Sequence, residues 1–137
     1  MTKTKNKIRY RDGYKYQLTH PYIMLLGITP DDIIDDDFIG LDKFGLLTIR
    51  AGYAWDGASS IALDTASFMR GSLVHDALYQ LIADGKLPAV TRVYADDLLR
   101  RLCRADGMSA IRAWYVHKAV RMFGGSHTKT KPEIIAP

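Results

Sequence analysis

One cysteine, Cys103, stands in the 137 residues, so no internal disulfide can form. That excludes the small disulfide-stapled scaffolds and suits a reducing compartment. No apolar run approaches the roughly 18 residues of a membrane-crossing helix. The start, Met1-Thr-Lys-Thr-Lys-Asn-Lys, lacks the apolar stretch that follows the charged part of a signal peptide. The expectation is a chain made and folded inside a cell, with neither a signal peptide nor a transmembrane segment. There is no internal repeat and no low-complexity segment. No G-x-S-x-G elbow surrounds Ser59 or Ser60, which therefore read as turn or capping residues and not as nucleophiles. The acidic run Asp31, Asp32, Asp35, Asp36 and Asp37 lacks the glycine and closing glutamate of an EF-hand, and reads as a solvated loop.

What is present is an ordinary globular composition, 47% hydrophobic and 25% charged, long enough for one core and short for two. A single domain over 1–137 is expected. The net charge of +4 is uneven, because Lys3, Lys5, Lys7, Arg9, Arg11 and Lys15 crowd the start. Residues 1–7 read as a basic arm. Such an arm suits an anionic surface, but without regular aromatic interleaving nucleic acid is not the expected partner.

Residues 8–50 are strand-like. Ile8 to Arg11 and Tyr14 to Leu18 alternate around Asp12-Gly13, a dipeptide favoured in tight hairpins. Tyr22 to Ile28 and Phe44 to Ile49 are short apolar runs, with a turn at Asp42-Lys-Phe-Gly. Residues 51–64 form a loop rich in small residues. Over 65–124 the period changes: Phe68 to Ala83, Ala89 to Arg104 and Ser109 to Phe123 carry apolar residues at helical spacing. Asp84-Gly85 and Asp106-Gly107 supply stops, Ser109 a cap, and 125–137 an irregular tail. The fold expected is α+β, a small antiparallel meander followed by three helices, the first two an antiparallel pair. The third helix is expected to pack through Ile111, Tyr115, Ala119 and Met122, leaving Arg112, His117, Lys118 and Arg121 largely outside.

The chemistry concentrates at Val74-His75-Asp76-Ala-Leu-Tyr79. An adjacent imidazole and carboxylate on an apolar stretch are costly to bury without partners. At about 100° per residue, His75 and Tyr79 share one side of the first helix and Asp76 projects a quarter turn away. On the second helix Ala95, Leu98, Leu99, Leu102 and Cys103 form the inward arc, with Asp96 at its edge and Asp97 turned toward the Arg100, Arg101 and Arg104 face. A short link between the helices can bring Asp96 beside His75, where a carboxylate fixes the tautomer and steadies the charge. Upstream, Gly52-Tyr-Ala-Trp-Asp-Gly-Ala-Ser-Ser60 can turn carbonyl oxygens toward a hard cation such as calcium, with Asp76 and Asp56 as carboxylates. Beside this stands a structural reading, in which His75, Asp76 and Asp96 tie two helices together. Tyr53 and Trp55 are expected to pack the loop onto the helices, and Cys103 to fill the core.

Two resemblances attach to these residues. Gly52-Tyr-Ala-Trp-Asp-Gly-Ala-Ser, Val74-His-Asp-Ala-Leu-Tyr, Tyr94-Ala-Asp and Tyr115 with Val120-Arg-Met-Phe-Gly resemble, in this order, small phage and prophage proteins of a family without defined function. That implies a phage origin, and a place in the virion or the host cytoplasm, with other virion proteins as partners. Separately, His75-Asp76-x-x-Tyr79, Asp84-Gly-Lys-Leu-Pro and Tyr94-Ala-Asp96 resemble the phospholipase A2 superfamily, most closely the type carried in parvovirus capsids. This resemblance implies His75 as general base, Asp96 as the aspartate orienting it, Tyr79 as the helix tyrosine, and Asp76 as the calcium carboxylate. The loop at Gly57 would match the calcium loop. Trp55-Asp-Gly-Ala-Ser departs there from the glycine-rich Tyr-Gly-x-Gly type, and the disulfides of the secreted enzymes are missing. The function implied is a calcium-dependent hydrolase acting on an ester of bacterial envelope lipid; the competing expectation is a non-enzymatic virion, tail or assembly protein.

Overall fold

A computed structural model describes residues 8–11, 16–56 and 66–125. The basic arm, the Asp12-Gly13 turn, Gly57 with Ser59 and Ser60, and residues 126–137 lie outside the described residues. Seven short strands precede three helices: β1 (Tyr10–Arg11), β2 (Tyr16–Leu18), β3 (Tyr22–Leu25), β4 (Ile34–Asp35), β5 (Ile39–Leu41), β6 (Leu46–Ile49), β7 (Ala54–Trp55), α1 (Ala66–Ala83), α2 (Thr91–Ala105) and α3 (Ala110–Phe123). The fold is α+β, as its sequence pattern predicts.

The strands make two antiparallel sheets. One has the order β1-β2-β7, the other β3-β6-β5-β4. Within the second, β4, β5 and β6 form a meander, and β3 returns to pair with β6, Tyr22 opposite Ile49. Alternation sets the faces: Leu47 and Ile49 are buried while Leu46 is exposed, and Tyr22 is buried while Ile23 and Leu25 are exposed. The Asp42–Gly45 turn closes as expected. Asp42 Oδ1 accepts from the amides of Phe44 and Leu46, and Gly45 takes φ of +88° beneath the Ile28 carbonyl, where no Cβ fits.

Two expectations about loops change. The acidic segment is not wholly solvated: Ile34 is buried, Asp35 pairs with Arg50 at 2.6 Å and Asp36 with Lys86. Likewise the small-residue segment holds β7, whose Trp55 is buried and donates from its indole to Ser72 Oγ at 3.0 Å, fixing this sheet to α1. A Trp buries enough area to organise a strand of two residues once its N–H has a partner.

The main core lies between the sheets and the first two helices, with Leu18, Ile39, Leu41, Leu47 and Ile49 on the sheet side and Leu73, Val74, Ala77, Leu78 and Leu81 from α1. Gly71 lets α2 approach, since a Cβ there would stand 3.0 Å from Leu99 and 3.2 Å from the Cys103 sulfur. Contacts then advance along α1 as they retreat along α2, from Gly71 against Leu99 to His75 against Asp96 to Tyr79 against Arg92, so the pair is antiparallel. Arg70 of α1 spans the halves, donating to the Tyr22 hydroxyl of β3 and bidentately to Asp106 just after α2.

The third helix packs differently from expectation. Its buried residues are Ala113, Val116, Ala119 and Val120, of which only Ala119 belongs to the expected stripe; Ala113, Val116 and Val120 join Phe68, Leu99, Cys103 and Met108 in a second cluster. Ile111, Tyr115 and Met122 face outward. Small and β-branched side chains allow closer helix contact than the bulkier stripe would, and the choice brings Arg121 inward. Ser109 caps the helix as predicted, accepting from the Arg112 amide. Among the described residues no helix is long and apolar enough to cross a membrane.

Candidate functional site

The three helices converge on Asp96, whose side chain is fully buried. Residues four apart on α1 place His75 and Tyr79 side by side, with ring centroids 4.0 Å apart and the planes tilted by 38°. His75 Nε2 lies 2.7 Å from Asp96 Oδ1, and the Tyr79 hydroxyl donates to the same oxygen at 2.5 Å. From α3, Arg121 Nη1 donates to Asp96 Oδ2 at 2.8 Å. Arg92, one turn before Asp96, stands 3.9 Å from Oδ2 and adds charge; its Nε donates to the Tyr79 hydroxyl at 3.1 Å. Its Nη2 donates to the carbonyls of Val120 and Arg121 in the last turn of α3, both at 2.8 Å; the Val120 carbonyl also accepts from the Gly124 amide.

A carboxylate only accepts, so the hydrogen between Asp96 and the imidazole belongs to Nε2, and in the neutral ring the lone pair sits on Nδ1. That nitrogen faces Asp76 Oδ1 at 3.9 Å, toward a side chain 34% exposed. The histidine is itself buried, with one end held by the interior carboxylate and the other turned toward the partly exposed Asp76. Burial pulls its pKa down, but hydrogen bonding and charge from Asp76 and Asp96 outweigh this and hold it above the usual 6.5. Burial pushes Asp96 up, yet the hydrogen bonds from His75, Tyr79 and Arg121 win, and its carboxyl lies below the ordinary range. Tyr79 is pushed well up, by burial first and then by Asp96, so it stays a donor. Every buried side-chain nitrogen and oxygen among the described residues has a hydrogen-bond partner.

Asp96 thus stands beside His75 and Tyr79, and Asp76 stands at the rim. Asp56 is exposed, and both it and Asp76 act as negative charges on the buried Tyr53 hydroxyl, raising its pKa after burial itself. Gly57 lies outside the described residues. No group of three or more His, Cys, Asp or Glu among those described is placed to hold a metal ion. Calcium takes six to eight oxygens, so the described side chains do not amount to a calcium shell. A cavity of about 420 Å³ opens further along α1, lined by Asp35, Asp36, Asp37, Gln80, Asp84 and Lys86 among others, and does not include the dyad.

Arg92 and Arg121 are site residues that the sequence reading misses. Arg92 carries a signal, since a cation four residues before an inward aspartate shares its helix face. Arg121 carries none, because only the rotation of α3 aims it at Asp96. Asp97 also differs from expectation, meeting His117 of α3 at 2.8 Å.

No curated protein and no solved structure matches the chain. A family model does, over residues 34–120, from β4 to the last turn of α3 and so across His75, Tyr79 and Asp96. The chain belongs to that family, described as protein of unknown function (DUF1353).

Proposed function

We propose that this protein is a hydrolase in which a His75–Asp96 dyad activates water against an ester of bacterial envelope lipid. One observation carries the reading: Asp96 holds Nε2 of the buried imidazole at 2.7 Å, leaving Nδ1 turned toward Asp76, a side chain 34% exposed, at 3.9 Å. Neutral His75 takes a proton from water at Nδ1 while the water oxygen attacks the ester carbonyl, and the imidazolium so formed is stabilised by Asp96. The same proton then passes to the departing alkoxide. No bond forms between enzyme and substrate. Tyr79 and Arg121 position Asp96, and Arg92 positions Tyr79.

The calcium dependence and the phage origin belong to the same proposal. Calcium rests on Asp76 and Asp56, which act on one tyrosine, together with the loop at Gly57; no step above is routed through it. Phage origin rests on the order of motifs from Gly52 to Gly124, and makes virion proteins the expected partners and the virion or host cytoplasm the expected location.

A second reading is favoured by a specific observation, namely that donors from α1 and α3 meet on Asp96 of α2, which ties the three helices together. A non-enzymatic virion or assembly protein would use such a knot for stability alone. The deciding experiment follows fatty acid release from phosphatidylethanolamine–phosphatidylglycerol vesicles, with calcium or chelator, alongside calcium calorimetry on the wild type and Asp76→Asn. Release by the wild type that folded His75→Ala lacks supports the hydrolase. No release by folded wild type under either condition overturns it in favour of the structural knot.

A further inference from the structure

The outward face of α3 is apolar where a helix of a globular protein is ordinarily polar. Ile111, Trp114, Tyr115 and Met122 are 82%, 49%, 55% and 70% exposed. They stand at i, i+3, i+4 and i+11, which is one face, opposite the packed Ala113, Val116 and Val120. Lys118, at i+7, lies within the stripe and holds its Nζ 5.7 Å from the Trp114 ring centroid. The helix carries Arg112, His117, Lys118 and Arg121, and residues 107–125 contain no acidic residue.

We propose that this face docks the protein on an anionic phospholipid bilayer. Charge decides between the candidate occupants. Arg121 and His117 already meet Asp96 and Asp97 of α2, so Lys118, inside the stripe, is the cation that decides. A second copy of α3 would bury it against an apolar stripe and a second Lys118, with no carboxylate on either helix to answer it, so self-association of this stripe is disfavoured. Anionic headgroups supply the counter-charge that Lys118 would meet. The chemistry of the stripe also fits a bilayer: Ile111 and Met122 enter the acyl boundary, and Trp114 and Tyr115 sit at headgroup level. The Lys118 stem lies along the ring while its ammonium rises to phosphate. The stripe is the outer side of a convex helix and needs no groove in its partner. Arg121, from the edge of this face, bonds to Asp96, so docking through α3 would bring the dyad near the lipid. The inference rests on the lipid reading of the dyad in one respect, that bacterial phospholipid is the surface offered, and its test does not use hydrolysis.

The test is flotation of the full chain with vesicles of phosphatidylcholine alone or mixed with phosphatidylglycerol, at low and high salt, together with tryptophan emission. Of the two tryptophans, Trp55 is 2% exposed, so Trp114 reports the surface. The expected result is flotation with the mixed vesicles, weakened by salt, and a blue shift quenched by brominated lipid. Ile111→Ser and Met122→Ser should each weaken partitioning about tenfold. Lys118→Gln should weaken it about fivefold on mixed vesicles and little on neutral ones. All three sites are exposed, so circular dichroism should be unchanged. His75→Ala should float like the wild type, which separates failure of this surface from failure of the dyad. Three outcomes would overturn the proposal: no flotation by folded wild type, equal flotation by wild type and the Ile111→Ser, Met122→Ser variant, or a dimer that this variant disrupts without any lipid binding.

Discussion

Arg121 donates to Asp96 Oδ2 across 2.8 Å, so the third helix is held by the same carboxylate that fixes the histidine of the first. Replacing Asp96 by Ala strands three donors at once. The expected loss is about 3 to 5 kcal/mol, the range for breaking a buried ion pair from one side. Arg121→Ala should cost only about 1 kcal/mol, because Arg121 is partly exposed and Asp96 keeps His75 and Tyr79. Urea denaturation of both variants checks the ratio.

His75→Ala leaves Asp96 with Tyr79 and Arg121 as partners, so the folded state should survive with a loss of about 1 to 2 kcal/mol. On the hydrolase proposal, ester cleavage should fall by about 10² to 10⁴ in the same variant. Measuring both on one preparation separates catalysis from stability, and loss of activity in proportion to loss of fold would count against the dyad.

The two members of the dyad give opposite signs with pH. The folded pKa of His75 is raised, so its stabilising contribution is full below about 6.5 and is lost as pH rises through the folded value. The folded pKa of Asp96 is lowered, so its contribution is present above the ordinary carboxylate range and is lost as pH falls through the folded value. Thermal melting should therefore decline on both sides. Hydrolysis needs the neutral imidazole, so its rate should climb with pH through the interval where melting temperature begins to drop.

Gly124 lies against the site: a Cβ there would come within 2.6 Å of the Tyr79 hydroxyl and 3.1 Å of its ring. Gly124→Ala should destabilise, and in a Tyr79→Phe background the penalty should shrink because the closest atom is gone. A double-mutant cycle in urea reads this coupling, expected at about 1 kcal/mol.

Cys103 should be silent toward thiol reagents in the native protein. It is fully buried, and burial, with Asp106 adding to it, pushes its thiol up to about 12. Reaction with a chromogenic disulfide should begin only with unfolding.

The helices were legible from their period and their stops, and the dyad from the conflict of placing His75 and an inward Asp96 on apolar faces joined by a short link. The short strands were harder. Ile34–Asp35 sits in a run of aspartates, and its burial follows from pairing with β5, which no local pattern announces. Ala54–Trp55 looks like loop because its neighbours are small, and becomes strand because Trp55 finds Ser72. For α3 two faces were apolar, and periodicity cannot tell the packed one from the free one; the smaller residues won by permitting closer approach.

Arg70 joins Tyr22 of the second sheet to Asp106 at the turn between α2 and α3 with its charge almost wholly out of water. Freeing the turn by itself would leave the guanidinium in the interior with Tyr22 as its partner and no counter-charge, and freeing the strand would take the Tyr22 hydroxyl from it, so either local opening costs more than its own few contacts. Partial melting at this seam is thereby discouraged, so the sheet and the helices should exchange their amide protons as one cooperative unit, and the half-open species on which proteases and aggregation act should be scarce.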